Sequence, residues 1–158
     1  MAIKCSKGFS KALAETGSIA DIFDLGKIRV YSASSVSGNV DGVPPTAEAA
    51  TTGATVIWEI TSTANPVSGI TFEPVASGSR SLLKLAAATW GGTALDTHAA
   101  VFFRIVGSAT DDNSASDTLP RIQGTVGVVG SGADFIVAST TFVAGTKNLS
   151  AFSITVPE

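Results

Sequence analysis

Cysteine and histidine are nearly missing from this chain, with only Cys5 and His98 among 158 residues. A single thiol excludes an internal disulfide, and one Cys with one His cannot supply a closed zinc site on their own. Any Ser-His-Asp arrangement would have to use His98. No Gly-x-Ser-x-Gly elbow accompanies it, so the histidine reads as a structural residue beside an apolar strand. Charge is scarce as well: 15% of the residues are Asp, Glu, Lys or Arg, against about a quarter in an average soluble domain. The basic residues are scattered and the net charge is −3, which argues against a nucleic-acid partner because neutralising phosphates takes clustered Lys and Arg. No apolar run approaches the ~20 residues that span a bilayer, so no membrane segment is expected, and the N-terminus shows no long apolar core of a signal peptide.

What the chain does have is Gly, Ala, Ser and Thr in abundance and a mean hydropathy of +0.36. A neutral surface of small residues suits a protein that hides much of its outside against neighbours. The length is that of one domain, which buries roughly 70% of the surface its unfolded chain would expose.

The stretch Ala99–Val106 is a near-continuous apolar run closed by Gly107, the pattern of a strand buried on both faces in the middle of a sheet. Trp90-Gly91-Gly92-Thr93-Ala94 just before it reads as a tight turn. Helical pattern is confined to residues 6–25. There Phe9 and Leu13 share a face, Ser6 or Ser10 can cap, Gly17 breaks, Ser18-Ile19-Ala20-Asp21 has capping-box form and Gly26 is placed as a left-handed terminator. Phe9, Leu13, Ile19, Ile22 and Phe23 would cover one edge or end of a sheet.

From Lys27 to Ser32 the residues alternate, with Ile28 and Val30 on one face and Lys27, Arg29 and Tyr31 on the other. Residues 33–54 lose all periodicity and contain Pro44-Pro45; a loop of this length reads as functional or mobile, an arm reaching to a neighbour. Thr55–Thr61 would turn Val56, Trp58 and Ile60 inward. Short strands follow at 70–73, 82–86, 121–129, 134–138 and 140–143, the last two either separate or one bent strand, and at 149–156, with Phe152, Ile154 and Val156 on one face. Eight or nine short strands with no helix after residue 26 make an all-β fold, an antiparallel β-sandwich or jelly-roll-like barrel. Residues 1–26 form a helical segment packed on the β-domain of residues 27–158.

Few residues invite chemistry. Asp111, Asp112, Asn113 and Asp117 share one polar loop, either a solvated hairpin loop or a calcium site, although the spacing is not that of an EF-hand. The glycines from Gly124 to Gly132 lack the Gly-Lys-Ser/Thr of a phosphate loop and read as strand and turn glycines. Glu59 and Glu73, the only strand glutamates, read as solvent-facing rather than as paired catalytic acids. Nothing calls for a cofactor. Arg104 stands inside the most apolar run, either at an edge or interface or as an internally paired charge. Trp58 and Trp90 read as core, with a sugar-binding platform that includes Tyr31 as the alternative.

Five motifs in order, Ser6-Lys7-Gly8-Phe9-Ser10-Lys11-Ala12-Leu13, Lys27-Ile28-Arg29-Val30-Tyr31-Ser32, Trp90-Gly91-Gly92-Thr93-Ala94, Val101-Phe102-Phe103-Arg104 and Gly124-Thr125-Val126-Gly127, resemble a group of small virion proteins of tailed bacteriophages. The chain departs from that pattern in residues 33–54, which are longer and carry the proline pair. The resemblance implies a non-enzymatic structural component of the virion, made in the host bacterial cytoplasm. The leading expectation is a capsid decoration or cement protein that adheres to the outer surface of the head. Its partners would be the major capsid protein and copies of itself, with contacts through Phe9, Leu13, Tyr31, Val43, Pro44, Pro45, Trp90 and Arg104. On that reading, deleting residues 36–46 weakens particle binding without unfolding the domain. A neck, collar or tail protein forming a ring and a surface carbohydrate-binding or adhesin domain are the alternatives.

Overall fold

Ser6 begins the first helix. Its backbone is extended and its hydroxyl accepts from the Phe9 amide, so α1 (Lys7–Thr16) starts with one orphan N–H satisfied. The helix stops at Gly17, whose left-handed φ of 71° lets its N–H reach the Leu13 carbonyl. Ser18 then caps α2 (Ile19–Phe23) through the Asp21 amide. The left-handed residue after α2 is Leu25, at φ 59°, rather than Gly26. Gly26 is required for a different reason: a Cβ there would stand 2.2 Å from the Val106 carbonyl oxygen. The computed structural model describes residues 3–34, 36, 41–62, 69–74, 81–95 and 98–155.

The strands among these residues are β1 (Lys4–Cys5), β2 (Lys27–Ala33), β3 (Ala54–Ser62), β4 (Ser81–Leu83), β5 (Trp90–Ala94), β6 (Phe102–Val106), β7 (Arg121–Gly127), β8 (Phe135–Ile136), β9 (Gly145–Leu149) and β10 (Ser153–Thr155). Eight of them form one sheet in the order β1-β7-β6-β2-β3-β5-β9, with β8 added beside β7, while β4 and β10 pair separately. All pairs are antiparallel except β7 with β8. The fold is all-β, two unequal sheets around a shared core. Leu82 of β4, Ile154 of β10 and the neighbouring Phe152 meet Trp90, Phe103 and Phe135 of the large sheet there, and Phe9, Ile19 and Phe23 close the same core from the helices. As the apolar run predicts, β6 is buried at every position, between β2 and β7.

Several elements differ from the sequence reading. Trp90–Ala94 is not a turn but strand β5, paired to β3 on one side and β9 on the other. Its glycines serve close approach: a Cβ on Gly92 would lie 2.0 Å from the Glu59 carbonyl oxygen. In β3 the pairing runs Val30 to Trp58 and then Tyr31 to Val56, so Ile57 is an extra, bulged residue. The bulge carries Val56 away from the main core, and Tyr31, with Val36, Val43 and Phe102, forms a second cluster to which Val56 packs. Residues 70–73 make only bridges, Gly26 to Ile70 and Phe72 to Lys84, and 140–143 make one, Ala99 to Thr141. The expected 149–156 strand is divided between two sheets, ending β9 at Leu149 and restarting as β10 at Ser153. Val156 lies outside the described residues.

Candidate functional site

Register places the polar side chains of the large sheet in a row. Lys4 faces Gln123, Gln123 faces Arg104, Arg104 faces Arg29 and Arg29 faces Glu59, across five adjacent strands. Side chains alternate along strands, so this row lies opposite the face that carries Ile28, Ile105 and Ile122. Arg121, two residues before Gln123, joins it. The middle of the row, Arg104, Gln123 and Arg121, is buried, because segments 41–54 and 107–120 supply acceptors over it, while Lys4 and Glu59 at its ends are half-buried.

Arg104 is 1% exposed. Its Nε donates to Gln123 Oε1 at 2.8 Å and its Nη2 to the Ala49 carbonyl at 2.7 Å and the Thr46 carbonyl at 3.4 Å. No carboxylate pairs with it among the described residues, and burial pulls its pKa down to about 10 despite partial help from the Tyr31 side chain. Gln123 Nε2 and Lys4 Nζ both donate to the Pro44 carbonyl, at 2.9 Å and 3.1 Å. Arg121 makes a two-point contact with Asp111, Nε to Oδ2 at 2.6 Å and Nη2 to Oδ1 at 2.7 Å, and also donates to the Ser114 and Glu48 carbonyls. Burial pushes the Asp111 carboxyl up, but the bonds from Arg121 and the Asn113 amide outweigh it and hold the carboxyl below its ordinary range. Arg29 spans Glu59, the Asp111 carbonyl and Asn113 Oδ1, and the Tyr31 hydroxyl donates to the same Oδ1 at 2.6 Å. Burial raises the Tyr31 hydroxyl pKa, with the charges of Arg29 and Arg104 acting against it.

These bonds change the reading of two loops. The 33–54 segment, where described, is fastened to the sheet by its own carbonyls and is not a free arm. Deleting residues 36–46 would therefore remove the Pro44 acceptor of two side chains; residues 37–40 of that stretch lie outside the described residues. The acidic loop spends its oxygens internally: Asp111 on Arg121, Asp112 on the Ser114 amide and Asp117 on Lys7. No group of three His, Cys, Asp or Glu that could hold a metal occurs among the described residues.

A concave surface of a different kind lies at the far edge of the large sheet. A groove of about 740 Å³ runs between residues 136–143 and residues 147–151, with Trp58 in its floor. Trp58 is fixed there by a 3.2 Å bond from Nε1 to the Gly92 carbonyl and by the Phe142 ring at 5.4 Å. Apolar residues on this wall stay exposed, Ile136 at 44% and Val143 at 62%. Lys147 is the single charged residue lining the groove. Such a lining supplies contact area and hydrogen bonds rather than acid–base chemistry.

Of the residues expected to make contacts, Phe9 and Trp90 sit in the main core, Tyr31 and Val43 in the second cluster, and Pro44 and Arg104 in the covered polar row. Their side chains have no surface to offer a partner. Leu13, half-buried on α1, and Pro45, exposed, keep some, and none of the eight lines the groove. His98 is exposed, Glu59 is held by Lys27 and Arg29, and Glu73 accepts from the Ala86 amide. Sequence reasoning missed Arg121, Gln123 and Lys147. Comparison with protein-family models, with curated proteins and with solved structures returns no match for this chain.

Proposed function

We propose that this chain is a non-enzymatic structural protein of a tailed-bacteriophage particle, a decoration or cement protein that adheres to the outside of the major capsid lattice and reinforces the head. The reading starts from the five ordered motifs. It is supported in the structure by one observation above the rest: an open groove with a single charge and exposed aliphatic walls, on a domain already poor in charge. Exposed apolar surface beside a concave lining poor in charge is what an adhesive contact uses. Adhesion of this kind adds buried area between neighbouring capsid subunits and so raises the pressure the shell withstands.

The sugar-binding alternative needs an exposed aromatic platform, and Trp58, Trp90 and Tyr31 are all buried. A ring protein of the neck or tail would use the same groove for a different neighbour. The deciding experiment is to mix the purified protein with heads that lack it and image them by electron cryo-microscopy. Density at regular lattice positions is the expected result. Density only at the portal vertex or along a tail transfers the protein to the neck or tail, and bare heads overturn the proposal.

A further inference from the structure

Leu25 is out of place on two counts. Its side chain is 47% exposed, and its backbone sits at φ 59°, a conformation that glycine or asparagine adopts at less cost. The corner it occupies between α2 and β2 is nevertheless well fixed. The Leu25 N–H donates to the Ile70 carbonyl at 2.8 Å, the Ile70 N–H donates to the Gly26 carbonyl at 2.9 Å, and a Cβ on Gly69 would stand 2.0 Å from the Leu25 carbonyl oxygen. The fold thus holds an aliphatic side chain in solvent on a clamped backbone. Asp24 is its neighbour in sequence and Asp21 stands about one helical turn earlier; both are exposed, and neither has an ion pair among the described residues. The corner is an apolar knob with a negative collar.

The groove has the complementary character. The pairing of Trp58 with Ala94, of Gly92 with Lys147 and of Trp90 with Leu149 puts Trp58, Lys147 and Leu149 on one face of the sheet, under the groove. Exposed Ile136 and Val143 form its apolar rim, and Lys147, its single charge, has no ion pair among the described residues. Neither Leu25 nor the two aspartates line it.

We infer that the groove takes the Asp24-Leu25 corner of a second copy of this chain, with Leu25 entering the apolar lining and the Asp21 and Asp24 carboxylates meeting Lys147. Knob and groove are different patches, so the contact is heterologous and passes head to tail from copy to copy instead of closing as a two-fold dimer. A single anchor buries far less than the roughly 1,200 Å² of a stable interface, so the contact is weak between free molecules and strong only where many copies stand side by side. The clamped corner limits the ordering lost on binding. The inference deepens the adhesive reading of the same groove, naming a neighbouring copy as its occupant, and rests on that reading for its biological setting.

Its test is sedimentation equilibrium of the intact protein up to about 1 mM, where association should continue past the dimer. Leu25→Asn, which suits the same backbone, removes the knob, and Val143→Asp sets a negative charge on the groove rim against the collar. Each variant alone should stay monomeric, with melting temperature as the folding control. Mixed, they should form a one-to-one dimer and stop there, because one working knob and one working groove remain. Lys147→Glu should weaken association at least about fivefold, and adding Asp21→Lys and Asp24→Lys to the same chain should restore it. A wild-type protein that is monomeric at about 1 mM, association untouched by Leu25→Asn, or a mixture that stays monomeric would overturn the inference. Head-to-tail association without head decoration would uphold it and reject the capsid reading. Decoration that Val143→Asp abolishes and Leu25→Asn leaves intact would do the reverse, since the capsid protein would then fill the groove.

Discussion

Replacing Asp111 by Asn tests the account of the covered polar row most directly. The change keeps the side chain's shape but removes the only carboxylate that pairs with Arg121 among the described residues, and both side chains are out of solvent, at 0% and 3% exposed. Two short bonds are affected, and the amide of Asn would present N–H groups to a guanidinium that has only donors. Removing one partner of a buried pair costs about 3–5 kcal/mol because the other charge stays behind. For a domain of this length, that corresponds to a fall in melting temperature of roughly 6–20 °C. Urea unfolding followed by tryptophan fluorescence reads it, since Trp58 and Trp90 are both buried. The double variant Asp111→Leu with Arg121→Met should recover most of the loss. A single-variant cost below about 1 kcal/mol would refute the reasoning, because only a solvated pair behaves so. Acid provides a second reading. The folded Asp111 carboxyl lies below its ordinary value of 3.8, so its contribution is complete above the unfolded value and is lost as pH falls through the lower folded one. The Asp111→Asn protein should lack that part of the acid-induced loss.

Three further perturbations separate local from long-range effects. Ser6→Ala removes a hydroxyl that caps α1, donates to the Leu119 carbonyl and accepts from the Arg121 amide; a loss of about 2–3 kcal/mol by urea unfolding is expected from the cap and the buried groups together. Gly92→Ala places a methyl group against the Glu59 carbonyl and should cost about 3 kcal/mol, the upper end for overpacking, with faster amide exchange concentrated where β3 meets β5. Arg104→Met should cost less globally than Asp111→Asn, since the buried charge it removes has no carboxylate partner. It should nevertheless raise amide exchange in residues 46–54 by about tenfold or more, because the carbonyls of Thr46 and Ala49 lose their donor.

What the sequence revealed was local or strictly periodic. The caps of α1 and α2 lie within three residues of what they bond to, and Ile28 and Val30 alternate as a half-buried strand must. Tyr31 continues that alternation, yet it ends in a second core because loops and Val43 cover its face, and a bulge in β3 sends Val56 there to meet it. Sequence alone shows neither the cover nor the bulge. Arg104 was conspicuous inside an apolar run, but its partners lie 19, 55 and 58 residues away. Arg121-Ile122-Gln123 looked like the start of an ordinary strand, since nothing local says that residues 41–54 lie over it. The signal that was present is the loop's own length: a long aperiodic segment in a small domain needs donors to hold its carbonyls, and three neighbouring strands each carried an unexplained Arg or Gln. The groove was invisible because β9 has weak strand character, with Gly145 at φ 131° and Lys147 and Asn148 at its centre.

The location of the charge joins these observations. Arg104, Arg121 and Asp111 are buried, and Arg29 is largely so. These groups are spent on holding loops to the sheet, so the outer surface is poorer in charge than the composition alone indicates. Lys7 with Asp117 and Lys11 with Glu15 are ion pairs well exposed on both partners and contribute little to stability. A contact made through such a surface draws its free energy from apolar area, which salt barely screens, with Lys147 the single charge lining the groove. Binding through the groove should therefore weaken by no more than the screening of one ion pair between low and high salt. A steep salt dependence would place the contact on some other face of the molecule.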